Sequence, residues 1–271
     1  RNGRHWTGGI WMGQVTSGFE VNDVGFSQNP ERLDAGMRVG YREIQPSGLL
    51  QNYSVNFFTF HNWSHEALDD ALSAASWRAA HTAGSFNLSS DARLVNWWDV
   101  SANVSVNPDT YSRTMTRGGP VMKDPGSASV RLNLNTDRRS ALSFGLGGNW
   151  RDGFEKSGGE VGLNGSLEVR PSPRVELRLE PRWSKQRDGS QYVLATDVLP
   201  WQPTYGSRFV FAEIDRTTVS METRLNVGIS PRLTFQLFAQ PLLSSGDYTR
   251  YRQLAESGTF EFVDLEPDGG R

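Results

Sequence analysis

The chain has 271 residues and no cysteine, which excludes a disulfide framework and thiolate metal sites, and its formal net charge of −2 argues against a general polyanion binder with a basic face. Hydrophobic residues make up only 37%, thin for a conventional core, whereas glycine (28), tryptophan (9) and phenylalanine (14) are plentiful. No apolar run reaches about 18 residues, so no transmembrane helix is expected, and Arg1-Asn2-Gly3-Arg4-His5 opens the chain without an apolar leader.

Taken in chain order, the segments alternate with period two, the signature of β-strands. Trp6 to Val15 is strand-like though broken by glycine. Leu33, Ala35, Met37, Val39 and Tyr41 oppose Asp34, Arg38 and Arg42. Leu49 to His61 carries aromatics on both faces, which leaves its register open. Phe86 to Leu94 leads into Trp98, Val100, Ala102, Val104 and Val106, set against Asp99, Ser101, Asn103, Ser105 and Asn107. Ala128 to Leu134 precedes Leu142, Phe144, Leu146, Gly148 and Trp150. Val161 to Val169, Val175 to Trp183 and Val219 to Ile229 repeat the pattern, with charges confined to the other face, and Leu233 to Ala239 forms the return. Gln191 to Asp197 and Phe209 to Ile214 read as a hairpin prolonging two strands.

Connections alternate in length. Short ones fall at 43–48, 95–97, 136–140, 171–173 and 230–232; long polar ones fall at 17–32, 62–78, 108–127, 151–159, 186–208 and from 244 onward. An up-and-down walk puts the short turns on one side and the long loops on the other, as in outer-membrane barrels. Ten-residue strands tilted by about 45° rise close to the ~25 Å of a lipid-facing band, and Tyr41, Trp98, Trp150 and Trp183 sit where aromatic girdles would. The expected fold is therefore an all-β, antiparallel up-and-down transmembrane β-barrel, or a large open part of one, of about eleven or twelve strands. It forms one domain over 1–271, read as a fragment of a longer barrel with free edges near Trp6 to Val15 and near the C-terminus.

Chemistry is sparse. His61 and His65 are four apart beside Glu66, a spacing that could present two imidazoles to a metal on a helix, but solvated loop residues are the better reading. Serines and aspartates are too abundant to single out a triad. No catalytic, metal or cofactor-binding residue is assigned, and no cofactor is expected. Arg38, Glu176, Arg178, Glu180, Arg182, Glu222 and Arg224 are candidates to line a lumen, either as a cross-strand ion-pair lattice or as a selectivity lining. Loop acids such as Asp69, Asp70 and Asp247 could meet a cation or a lipid-linked sugar; solvation is the preferred reading.

Several segments resemble a bacterial family known as domain of unknown function 5916. They are Gly18 to Phe26, Arg117-Gly118-Gly119-Pro120 with Pro125-Gly126, Phe209-Val210-Phe211-Ala212-Glu213-Ile214-Asp215-Arg216-Thr217-Thr218, and Leu237-Phe238-Ala239-Gln240-Pro241. The resemblance implies an outer-membrane barrel following a domain similar to family-9 carbohydrate-binding modules, with Pro267 to Arg271 short of the terminal aromatic typical of such barrels. On that basis the expectation is a non-catalytic Gram-negative outer-membrane protein acting in surface glycan binding or uptake. Its expected partners are outer-membrane lipid, lipopolysaccharide and a glycan ligand, and not nucleic acid. The alternatives are a soluble all-β binding module and a barrel-borne hydrolase acting on lipid or glycan.

Overall fold

The computed structural model describes residues 4–16, 18 and 31–265. The expected loop at 17–32 falls almost wholly outside them, as do the resembling segment after Gly18 and the terminal 267–271. The strands are β1 (Trp6–Val15), β2 (Arg32–Glu43), β3 (Leu50–Trp63), β4 (His81–Leu94), β5 (Asp99–Asn107), β6 (Thr110–Ser112), β7 (Met122–Asp124), β8 (Ser127–Asn135), β9 (Leu142–Gly153), β10 (Gly158–Ser172), β11 (Val175–Thr196), β12 (Arg208–Ser230), β13 (Leu233–Ala239), β14 (Leu242–Leu254) and β15 (Phe262–Asp264). A short helix, α1 (Ala74–Ala79), lies in the connection between β3 and β4.

Thirteen strands form one antiparallel sheet in the order β1-β2-β3-β4-β5-β8-β9-β10-β11-β12-β14-β15, with β13 also on β12, and β6–β7 forms a separate hairpin. β13 and β14 follow one another along the same edge of β12. They amount to one strand interrupted at Gln240-Pro241, where Pro241 has no N–H to donate but its carbonyl still accepts from Met221 N at 3.2 Å.

The short turns share a local chemistry. A side-chain oxygen at the turn's start accepts the backbone N–H two residues on: Asn96 from Trp98, Asp137 from Arg139, Ser172 from Arg174, Ser230 from Arg232. At the other end the long connections acquire structure of their own. Ser73 caps α1 by accepting from Ser76 N, and β14 occupies much of what reads as a polar tail. The expected hairpin after Gln191 is continuous with its parent strands, giving β11 and β12 of 22 and 23 residues.

The two faces differ as the alternation requires. Pairing carries one apolar row from Val39 through Phe57, Leu88, Val104, Val130 and Trp150 to Val161, and the next row on the same face runs from Leu163 through Trp183 and Val219 to Leu243. That face is not packed against a second layer, since Leu146 is 61% exposed and Leu243 75%. In β3 the register left open by the sequence puts Phe57 on the apolar face and Phe58 and Phe60 on the other, where the Trp11 ring stacks on Phe58 at 5.4 Å.

The barrel expectation is overturned. The sheet is open, and no pairing joins β1 to β13, β14 or β15 among the described residues. Walking down and up from β1, the β13–β14 strand runs in the same direction as β1, so the outer long strands could not complete an antiparallel ladder. A bilayer accepts strands only as a closed wall, because each unpaired backbone group in hydrocarbon costs several kcal/mol. The transmembrane role, the outer-membrane location and the contacts with lipid and lipopolysaccharide fall with the closure. No helix among the described residues is long and apolar enough to cross a membrane.

Gly36 marks a tight approach: a Cβ there would lie 2.2 Å from the Trp11 ring and 2.5 Å from the Thr59 carbonyl oxygen. Gly36→Ala should lower stability by about 1–3 kcal/mol through overpacking, read as a fall in urea midpoint. Gly148→Ala, whose new methyl would meet nothing closer than 3.5 Å, should leave the midpoint nearly unchanged.

Candidate functional site

A recess opens on the polar face at the short-turn end. Two adjacent cross-strand rows build it. One runs Arg42, Ser54, Asp91, Ser101 across β2, β3, β4 and β5; the other runs Asn52, Arg93, Asp99, Asn135 across β3, β4, β5 and β8. With Arg138 from the following turn they enclose a cleft of about 690 Å³, within the range of ligand pockets. Arg93 and Asp99 satisfy each other at 2.7 Å. Glu43 accepts from Gln45 N at 2.9 Å, the main cause of a carboxyl held below its ordinary value. Arg42 and Arg138 have no ion-pair partner among the described residues, and neither has Asp91. Below the rim, Asp137 is pulled down to about 2 by its hydrogen bonds to Arg139, whose guanidinium lies 3.7 Å over the Trp97 ring.

The polar face continues as an amide and hydroxyl lattice. Asn87 and Asn103 exchange hydrogen bonds at 3.2 and 3.1 Å, and Asn87 also donates to Ser105 at 2.7 Å. Six of the seven residues expected to line a lumen lie on this face in β11 and β12. Across that pair Arg178 stands opposite Arg224 and Glu180 opposite Glu222, so like charges meet. The compensating ion pairs run along each strand: Arg178–Glu176 at 3.3 Å, Arg182–Glu180 at 3.0 Å and Arg224–Glu222 at 2.6 Å. Arg178 also reaches Glu168 on β10 at 3.2 Å. Arg38 stands apart from these on β2, opposite Phe58.

At the long-loop end two of the resembling segments, around Gly119 and from Phe209 onward, fold together. Phe209 and Phe211 pack with Met122, Leu254 and Phe260 into a buried hydrophobic cluster. Gly119 lets Phe209 approach, since a Cβ there would lie 2.3 Å from its ring, and Thr116 donates to the Pro120 carbonyl at 2.8 Å. Glu213 is nearly buried. Burial opposes its ionisation, but Arg187 at 2.5 Å, with Arg252 and Arg250 beyond, holds the carboxyl below its ordinary value.

His61 does not pair with His65, which instead lies 3.4 Å from the Gln14 amide. Its partner is His81, on the neighbouring strand, at 3.0 Å. The Asp109 carbonyl can only accept, so His81 Nδ1 carries a hydrogen toward it at 3.0 Å. In the neutral pair His81 Nε2 must then accept from His61 Nδ1, and His61 Nε2 from the Thr59 hydroxyl at 3.1 Å. Asp109 also accepts from Gly126 N at 2.8 Å and meets Lys123 at 3.0 Å, so the chain ties β3 and β4 to the β6–β7 hairpin. No group of three His, Cys, Asp or Glu residues that could hold a metal occurs among the described residues.

Residues 2–268 match the family model described as Domain of unknown function (DUF5916). The chain belongs to that family. The outer-membrane barrel that the resemblance implied is not what the structure contains, because the sheet is open. No curated protein and no solved structure matches the chain.

Burial, then the neighbouring His81, pushes His61 below its ordinary 6.5. The unfolded chain therefore takes up this proton first, so the contribution is present above pH 6.5 and lost as pH falls toward the folded value. Urea midpoints measured from pH 7.5 to 5 should fall below about 6.5, and His61→Asn should remove most of that fall.

Proposed function

We propose that this domain is an all-β binding module, the second reading of its sequence, which holds a small polar ligand in the short-turn cleft without transforming it. The observation that carries this is the pair of cross-strand rows from Arg42 to Ser101 and from Asn52 to Asn135, lining a cleft of about 690 Å³. The lining comes mainly from strands, so the polar groups are positioned before a ligand arrives and little ordering entropy is lost on binding. Arg93, Asp99 and Glu43 are already engaged within the protein. Arg42 and Arg138 are not, so an anionic group entering the cleft meets cations without internal counter-ions. Asp91, Asn52, Ser54 and Ser101 add acceptors and donors for hydroxyl or amide groups.

Ligand-observed NMR with citrate, glucose 6-phosphate and galacturonate, set against neutral glucose, tests the reading. At least one anionic probe should bind saturably and more tightly than glucose. Arg42→Ala and Arg138→Ala should each weaken it by about tenfold or more, the scale of a hydrogen bond to a charged group. Absence of saturable binding by every probe, or indifference to both substitutions, would sink it.

A further inference from the structure

The β13–β14 edge carries an unused ladder. Gly228 N donates to the Arg174 carbonyl on the β11 side, whereas Met221 N donates to Pro241 on the other side. Alternation along β12 then points the backbone groups of Phe235, Leu237, Ala239 and Leu243 inward to β12. Those of Thr234, Gln236, Phe238, Leu242, Ser244 and Gly246 point outward, where no strand among the described residues meets them. Among the described residues, β15 covers this edge at Arg252, Gln253 and Leu254, and Leu265 N donates to the Tyr251 carbonyl just beyond it.

Edges left open are normally blunted by charge, by proline at an outward position, or by a cover. From Leu233 to Gly246 this one has no charged residue, and its single proline, Pro241, lies at an inward-facing position. Phe235 is 50% exposed, Phe238 57% and Leu243 75%.

We infer that a second copy of this chain adds its own β13–β14 strand here, antiparallel, about a two-fold axis normal to the sheet near Gln240. Such an axis keeps the apolar faces of both copies on the same side and the polar faces on the other. It sets Phe238 opposite Leu242 and Gln236 opposite Ser244, outward position against outward position, with Leu237 opposite Leu243 between them as an inward pair. The stretch ends at Arg232 on one side and Asp247 on the other, so the antiparallel arrangement brings opposite charges near each other at both ends, whereas a parallel one would align like with like. Two identical uncharged edges meet without the repulsion that directly opposed like charges cause.

Light scattering on the whole chain across a dilution series should give twice the chain mass. Because the protein has no cysteine, Gln240→Cys reports the axis directly: paired residues about 5.5 Å apart at Cα can form a disulfide. Mild oxidation should cross-link that variant as a dimer, and should not cross-link Val198→Cys, placed on an exposed loop. Gln236→Pro removes one outward N–H without touching the β12 ladder and should shift the mass toward monomer. A monomer at all concentrations, a Gln240→Cys that stays reduced, or a dimer that cross-links equally through Val198→Cys would each overturn the inference.

Discussion

Between Trp6 and Leu254 each long strand finds its hydrogen-bonding partner in the next long strand along the chain, or across a single structured loop. Most of the tertiary organisation follows from that ladder, because among the described residues no second layer presses against the main sheet. The ladder sets which side chains share a row, and rows, more than a core, bring distant residues together. Arg42 and Ser101 are far apart in sequence yet lie in one row.

Apolar burial is concentrated where the ladder ends. The long connections gather Met122, Phe209, Phe211, Leu254 and Phe260 into a cluster, held by close glycine contacts at Gly119 and by the carbonyl and carboxylate of Asp109. This end resembles a small conventional core mounted on a sheet. Glu213 among its arginines and the hydrogen-bonded histidine pair are polar groups that burial would penalise if any partner were missing. The short-turn end is arranged differently. Its turns are closed by local hydrogen bonds and its cleft is lined from strands, so the polar groups there remain available to a ligand.

Electrostatics on the polar face is resolved along strands more than across them. Arg178 facing Arg224 and Glu180 facing Glu222 would repel if left alone. Each instead takes a neighbour two residues away on its own strand, which faces the same side. These groups are largely satisfied. That separates them from Arg42 and Arg138, which keep their charge unpaired, and it explains why the shorter list of charges marks the recess better than the longer one does.

Period-two alternation made the strands legible, along with their faces and the side on which short turns fall, because those depend on residues near one another in sequence. β2, β5, β9 and β10 lie within a few residues of where the pattern puts them. α1 and β14 did not stand out, since α1 is a single short turn under a serine cap and β14 is polar on both faces and extends only because β12 offers it a ladder. The cleft was not legible either: Arg42, Asp91 and Arg138 look like ordinary exposed charges until register aligns them. His61 drew attention with the wrong partner, because spacing of four favours His65 on a helix, whereas strand pairing brings His81. By itself the sequence determined local conformation and which face of each strand is apolar. Whether the sheet closes was decided only in three dimensions, by the relative direction of its outer strands and the pairing between them, and no local pattern encodes either.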